Sequence, residues 1–395
     1  MKEETMSSVN PPLHKLTEQD LFQEQTFNLW EDFISAIMGH RLGFGVKLWR
    51  GQGNSAWKLE SSYWRKHKKN YCAEQVYSTF VTDIYNAYNN LRRNTFSERD
   101  DISNHLSLPL PSRPNNYIFE LKKCESEFAK FNRQSNNNDN INFGVALDCS
   151  CNFAMDLRHW AWGQHYGVKS PLLDWTIRPL LALYFACEGY KEKDQDGNNI
   201  DMISIYSLDP SLLVKLNTHP INGLDKITDE VTQEHINEFI DKTCTFFNGK
   251  IFSKDNLKSE IKVGQPEIFF KYYQIVRDAM KLKLILECSD KNQRQITQNG
   301  VFSYAPRLMT IEEWCERYFA TFTEPDFDLF DNLSYTRSEP PEKSLIKKYN
   351  IKFSISKRKD CLAFLDSANI NAKTVYPDFQ GLSKYMDELE EIRWF

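Results

Sequence analysis

The run Pro179-Leu180-Leu181-Ala182-Leu183-Tyr184-Phe185-Ala186 is apolar on nearly every side. A helix of that composition has no face to give to water and is stable only when packed all round. The remainder of the chain must therefore build layers about it. Proline stands at its start, where a missing backbone donor costs nothing. Immediately before it lies Trp162-Gly163-Gln164-His165-Tyr166-Gly167-Val168-Lys169-Ser170-Pro171-Leu172-Leu173-Asp174-Trp175-Thr176. Gly167 permits an unusual backbone angle and Pro171 fixes another, so this stretch is a shaped loop. Building a core does not require Gln, His, Asp, Trp and Thr to crowd around two glycines and a proline. A loop of this make-up between apolar helical runs is where a ligand site is expected.

An earlier segment, Leu48-Trp49-Arg50-Gly51-Gln52-Gly53, pairs with it in character. Val46 and Leu48 alternate as in a short strand that delivers Arg50 to a Gly-Gln-Gly turn. That turn sets a fixed cation beside backbone that a ligand can approach closely.

Hydrophobic residues make up 41% of the 395 and aromatics 14%, enough for a sizeable core. The net charge of −5 argues against a general nucleic-acid binder, which carries a basic domain. Arg65, Lys66, Lys68 and Lys69 read as an exposed helix end, with a local basic cleft as the alternative. Nine cysteines, odd in number and scattered, point to reduced thiols and a cytoplasmic protein. No apolar run approaches the roughly 20 residues needed to span a bilayer. Cys149-x-Cys151 with His159 lacks the second pair that structural zinc requires, so no metal is expected.

Residues 1–16 read as a loose lead-in and 17–395 as one enlarged domain or two packed subdomains, with helical insertions at about 66–145 and 209–260. Trp30, Phe33, Ile34 and Ile37 fall at helical spacing, with Gly43 and Gly45 ending that helix. Further helices are predicted over 72–91, 117–132, 153–163, 227–241 and 357–367. Thr310 with Glu313 makes a capping box that opens another, through Ala320. Strands are predicted over 202–206, 283–288 and 351–355, and surface turns over 135–142 and 191–199. Glu125-x-Glu127 and Glu388-x-Glu390 read as solvated helix faces. Helices and strands interleave without a βαβ period, so the fold class is α+β, with mixed or antiparallel sheets flanked by helices.

These segments resemble the FRG domain family, named for an aromatic-Arg-Gly element, here Trp49-Arg50-Gly51 with Gln52 and Trp57-Lys58-Leu59. The second element resembles Gln164-His165-Tyr166-Gly167 plus Leu172-Leu173-Asp174-Trp175-Thr176 and the helix through Ala186. The third resembles Asn292-Gln293-Arg294 through Gln298-Asn299-Gly300-Val301-Phe302. The fourth resembles Ile370 with Val375-Tyr376-Pro377-Asp378-Phe379-Gln380-Gly381. Ser170-Pro171 departs from the Thr-Arg pair the family often has there. The resemblance implies bacterial, often defence-linked or mobile-element contexts and a toxin-type effector. A more distant similarity to ADP-ribosyltransferases implies a nucleotide ligand, with NAD as substrate, and a protein target or regulatory partner.

On that resemblance Arg50 would hold the pyrophosphate or nicotinamide ribose, and Trp175 or Tyr166 would stack on the nicotinamide. Gln298 would sit near the ribose hydroxyls, where the related fold usually has Glu. His165 and Asp174 complete the catalytic candidates, and Gln52 and Thr176 the binding ones. Alternatives stay open on the residues themselves. Arg50 could pair a buried Asp such as Asp174, Asp174 could brace the loop or cap a helix, and Trp175 could be core. A binding module that turns nothing over is the alternative function.

Overall fold

The computed structural model describes residues 17–38, 47–62, 65, 172–218, 230–248, 254–285, 293–306, 309–322 and 344–393. Seven strands form one sheet: β1 Phe22–Phe27, β2 Leu48–Gln52, β3 Leu172–Thr176, β4 Met202–Leu208, β5 Lys283–Ile285, β6 Gly300–Tyr304 and β7 Ile346–Lys352. Their order across the sheet is β1-β7-β4-β2-β3-β6-β5. β1 runs parallel to β7, and every other neighbouring pair is antiparallel. With twelve helices among the described residues, this is a mixed sheet of the α+β class. The helices expected within 66–171, and the Asn-rich turn there, lie outside the described residues.

The Pro179–Gly189 helix is buried along most of its length, with Leu181, Ala182, Leu183, Tyr184, Ala186 and Cys187 each at most 1% exposed. It packs on the sheet face that carries Trp49, Ile203, Ile205, Tyr349 and Ile351. On its outer side lie Cys361, Leu362 and Leu365 of the Ile355–Ser367 helix. The opposite sheet face carries Leu48, Leu173, Trp175, Tyr206 and Leu208. Helices Gln233–Phe247, Pro266–Met280 and Ile311–Phe322 cover it. The two apolar clusters thus lie on either side of one sheet, the layering that an all-apolar helix demands.

Several local expectations are corrected. Arg50 and Gly51 lie inside β2 rather than at a turn. The reason is steric: a Cβ on Gly51 would lie 1.8 Å from the Ala182 carbonyl oxygen, and one on Gly53 2.1 Å from Gly189. Both glycines admit the helix against the strand, so the close backbone approach is made by the protein itself. The last strand is Ile346–Lys352, not 351–355, because Ser354 caps the next helix by accepting from the Lys357 amide. The capping box at Thr310 forms as expected, each residue's side chain bonding the other's amide at 3.0 Å. The 227–241 helix begins at Gln233, where Thr232 supplies the cap. Glu388 is buried rather than solvated. It accepts from the Tyr184 hydroxyl at 2.6 Å and from the Ala372 amide at 3.0 Å. A carboxylate with two donors can leave water, which the charge pattern alone does not disclose.

A Gly51→Ala substitution is expected to lower unfolding free energy by about 2 kcal/mol or more, as overpacking against fixed backbone does. Gly189→Ala, whose new Cβ would meet nothing nearer than 3.5 Å, should cost far less. Urea denaturation of the two variants side by side checks this.

Candidate functional site

β2 and β3 pair at a single position, Trp49 with Thr176. Past it the two strands part, and the guanidinium of Arg50 fills the gap. Its Nη1 donates to the Asp174 carbonyl at 2.8 Å, a partner that an intact ladder would have given to a β2 amide. The same nitrogen lies 3.8 Å from Asp174 Oδ2. The Asp174 side chain is 49% exposed while that of Arg50 is 19% exposed, so the pair bridges interior and solvent. Burial lowers the Arg50 pKa and Asp174 opposes that shift, but an arginine stays charged in either case. The Nε of Arg50 is buried and has no hydrogen-bond partner among the described residues.

Because side chains alternate along a strand, Leu48, Arg50 and Gln52 share one face. Arg50 stands opposite Tyr206 of β4 and Gln52 opposite Ser204. Those two stand opposite Lys348 and Asn350 of β7, and these opposite Glu24 and Thr26 of β1. The rows are linked. Ser204 donates to Asn350 at 2.8 Å, Asn350 to Glu24 at 3.2 Å, and Lys348 to Glu24 at 3.3 Å while lying 5.9 Å from the Tyr206 ring centre. A polar strip therefore crosses four strands and ends at Arg50 and Gln52.

The segment Gly53–Leu59 folds over this strip. Tyr206 donates to the Trp57 carbonyl at 3.0 Å, and Gln52 Nε2 to the Lys58 carbonyl at 3.3 Å. Leu59 is fixed at its amide by both carboxylate oxygens of Glu312, at 2.9 and 3.1 Å. Its carbonyl accepts from the Ile311 amide. The segment is thus tied to the first turn of the Ile311–Phe322 helix, where a carboxylate also complements the helix dipole. Burial raises the Glu312 pKa, opposed by the Leu59 amide, and burial likewise raises that of Tyr206.

A second polar group lies at the far end of β3. Thr176 Oγ1 donates to the Gln298 carbonyl at 2.7 Å, and the Gln298 side chain donates to the Val375 carbonyl at 3.3 Å. Arg294, one turn earlier, bonds Asp378 at 2.7 Å and Gln380 at 2.9 Å, and its guanidinium carbon lies 5.5 Å from the Tyr376 ring centre. The Tyr376 hydroxyl donates to Glu188 at 2.7 Å. Asp174 is near enough for its charge to help hold the Tyr376 pKa up, behind burial as the main cause. Gly381 is confined as tightly as Gly51, since a Cβ there would lie 1.9 Å from the Tyr376 carbonyl.

Of the residues singled out from sequence, the fold brings Arg50, Gln52 and Asp174 to the gap, and links Thr176 to Gln298 at the other end of β3. Trp175 is 2% exposed and its indole donates to Ser303 at 2.8 Å, within the core. His165 and Tyr166 lie outside the described residues. Tyr206, Glu312, Arg294 and Tyr376 join the constellation although sequence reading assigned them no role. Arg294 and Tyr376 sat within recognisable motifs. Tyr206 looked only like an interior strand residue, and Glu312 only like the opening of a helix. Among the described residues no group of three or more His, Cys, Asp or Glu could hold a metal, and no helix is long and apolar enough to cross a membrane.

Glu312 gives a pH signature. Its folded pKa is raised, so the folded state binds more protons than the unfolded one above the ordinary glutamate range. Stability held below that range is lost as pH rises through the folded pKa. Glu312→Gln keeps an acceptor for the Leu59 amide but cannot ionise. In urea titrations from pH 4 to pH 8, its stability relative to the parent chain should rise with pH across that window.

Residues 46–195 match the family model described as the FRG domain. Comparison with curated proteins and with solved structures gave no match. The matched span holds β2 with Arg50, β3 with Asp174 and the buried helix packed on them, so the Arg50 gap lies within the stretch similar to the FRG domain.

Proposed function

We propose that this chain binds a nucleotide at the Arg50–Asp174 gap, with NAD as the substrate, and transfers or hydrolyses its ADP-ribose. The observation that carries the reading is the Arg50 guanidinium. It is mostly buried, it commits Nη1 to Asp174, and its Nε has no partner among the described residues. Buried donors are usually satisfied, so the unmet Nε of Arg50 is a place for a ligand oxygen to bond. A cation fixed in a low-dielectric setting, with donors outside its structural contact, is suited to phosphate or ribose oxygens.

Asp174 gives the site its chemistry. Its half-exposed carboxylate stands beside the cation, where a positively charged sugar would be stabilised. In the reaction the bond between ribose C1′ and the nicotinamide nitrogen breaks, and its electron pair leaves with neutral nicotinamide. An acceptor oxygen, from water or a protein side chain, bonds to C1′ and gives up its proton. The choice among nucleotide reactions follows the distant similarity to ADP-ribosyltransferases suggested by the order of Arg50, Asp174, Thr176 and Gln298 in the sequence.

A second reading, a nucleotide-binding module without turnover, is favoured by one observation. The position expected to hold a catalytic Glu is Gln298, and its side-chain amide donates to the Val375 carbonyl.

Incubation with NAD, followed by mass spectrometry of nicotinamide and ADP-ribose, tests the reading. The expected result is nicotinamide release that falls at least about 100-fold in Asp174→Asn, the loss of one electrostatic stabiliser, with an unchanged thermal melt. Arg50→Ala should lose activity and also stability, because the guanidinium closes the sheet. Stoichiometric NAD binding without release would establish the second reading. Absence of both binding and release would overturn the proposal.

A further inference from the structure

The polar strip ends in two complementary atoms without hydrogen-bond partners among the described residues. Arg50 Nε is a donor and Gln52 Oε1 an acceptor; both are buried and neither has a hydrogen bond among the described residues. Gln52 itself is only 6% exposed. The orientation of its amide is fixed, because Nε2 donates to the Lys58 carbonyl and the reverse assignment would set two oxygens together. The flanking hydroxyls cannot relieve Oε1. Ser204 gives its proton to Asn350, and Tyr206 gives its proton to Trp57.

We propose that Arg50 Nε and Gln52 Oε1 form a subsite for a planar donor–acceptor edge, a carboxamide or the amino-purine edge of adenine. The ligand oxygen or ring nitrogen accepts from Arg50, and the adjacent ligand amino group donates to Gln52. Both side chains rise from the same face of β2, two residues apart. One offers a donor and the other an acceptor, which a ligand group carrying an acceptor and a donor side by side matches. The subsite lies beneath Trp57 and Lys58, whose carbonyls accept from Tyr206 and Gln52.

The inference rests on the reading that Arg50 meets a ligand, and it names the part of the ligand that reaches the innermost donor. Its test uses fragments without phosphate, so that it does not depend on NAD turnover. Ligand-observed NMR titrations of the whole chain would compare benzamide with acetophenone, which keeps the acceptor and lacks the donor. Adenosine would be compared with purine riboside in the same way. The expected result is a preference of at least tenfold for benzamide over acetophenone, for adenosine over purine riboside, or for both; which pair shows it identifies the source. Gln52→Met, which keeps the side chain's length and removes the acceptor, should abolish the preference, while Gln52→Glu, which keeps an acceptor, should retain part of it. Circular dichroism and a thermal melt establish that both variants fold. Equal binding within each pair, absence of binding by all four fragments, or a preference that survives Gln52→Met would each overturn the subsite. NAD binding that depends on Asp174 but shows no such preference would leave the nucleotide reading standing and remove this one.

Discussion

Contact between the Pro179–Gly189 helix and β2 organises everything else described in this fold. Backbone meets backbone there, through glycines at 51 and 53 that leave no room for a Cβ. With the helix on that face, Trp49 and Gly51 point toward it and Arg50 and Gln52 must point to the other. The polar pair therefore lands in the layer beneath the Gly53–Leu59 segment, surrounded by Tyr206 and the sheet. An apolar helix with no solvent face and two small residues opposite it together determine where the functional polarity goes.

The same arrangement explains why the sheet opens beside Arg50. β2 is paired along its length with β4 but with β3 at only one position. A carbonyl left without its ladder partner would be costly in the interior, at about 1–3 kcal/mol. Arg50 supplies the missing donor from a side chain, which brings a positive charge into the gap and sets the Asp174 carboxylate beside it. One guanidinium nitrogen closes the sheet, while Nε has no hydrogen-bond partner among the described residues.

Sequence patterning disclosed the buried helix, the capping box at Thr310 and the presence of β2, β4 and β5, because each is set by local spacing. It placed Arg50 in a turn because Gly-Gln-Gly reads as flexible backbone. Only a tertiary contact reveals that the glycines serve packing. β1, Phe22-Gln23-Glu24-Gln25-Thr26-Phe27, carries four polar residues between its aromatics and lacks the apolar alternation of a buried strand; pairing with β7 makes it a strand at the exposed edge of the sheet. Glu388 read as solvated for a similar reason, since its donors Tyr184 and Ala372 come from other parts of the chain. In the candidate site, Arg50 and Asp174 were legible because charged groups in apolar, glycine-rich surroundings are conspicuous. Tyr206 and Glu312 were not, as their roles depend on strand register and on a helix end meeting Leu59.

Arg50 Nε and Gln52 Oε1, without hydrogen-bond partners among the described residues, carry a cost in stability. Each buried unmade bond costs about 1–3 kcal/mol, a large share of the 5–15 kcal/mol typical of a folded domain. An apolar residue of similar shape at position 52 would avoid part of that cost. The strip from Glu24 through Asn350 and Ser204 could end without Gln52, since its bonds are complete before that residue. Gln52 thus adds one bond to Lys58 and one unmet acceptor. That balance favours folding little, and makes sense where a ligand group supplies the partner.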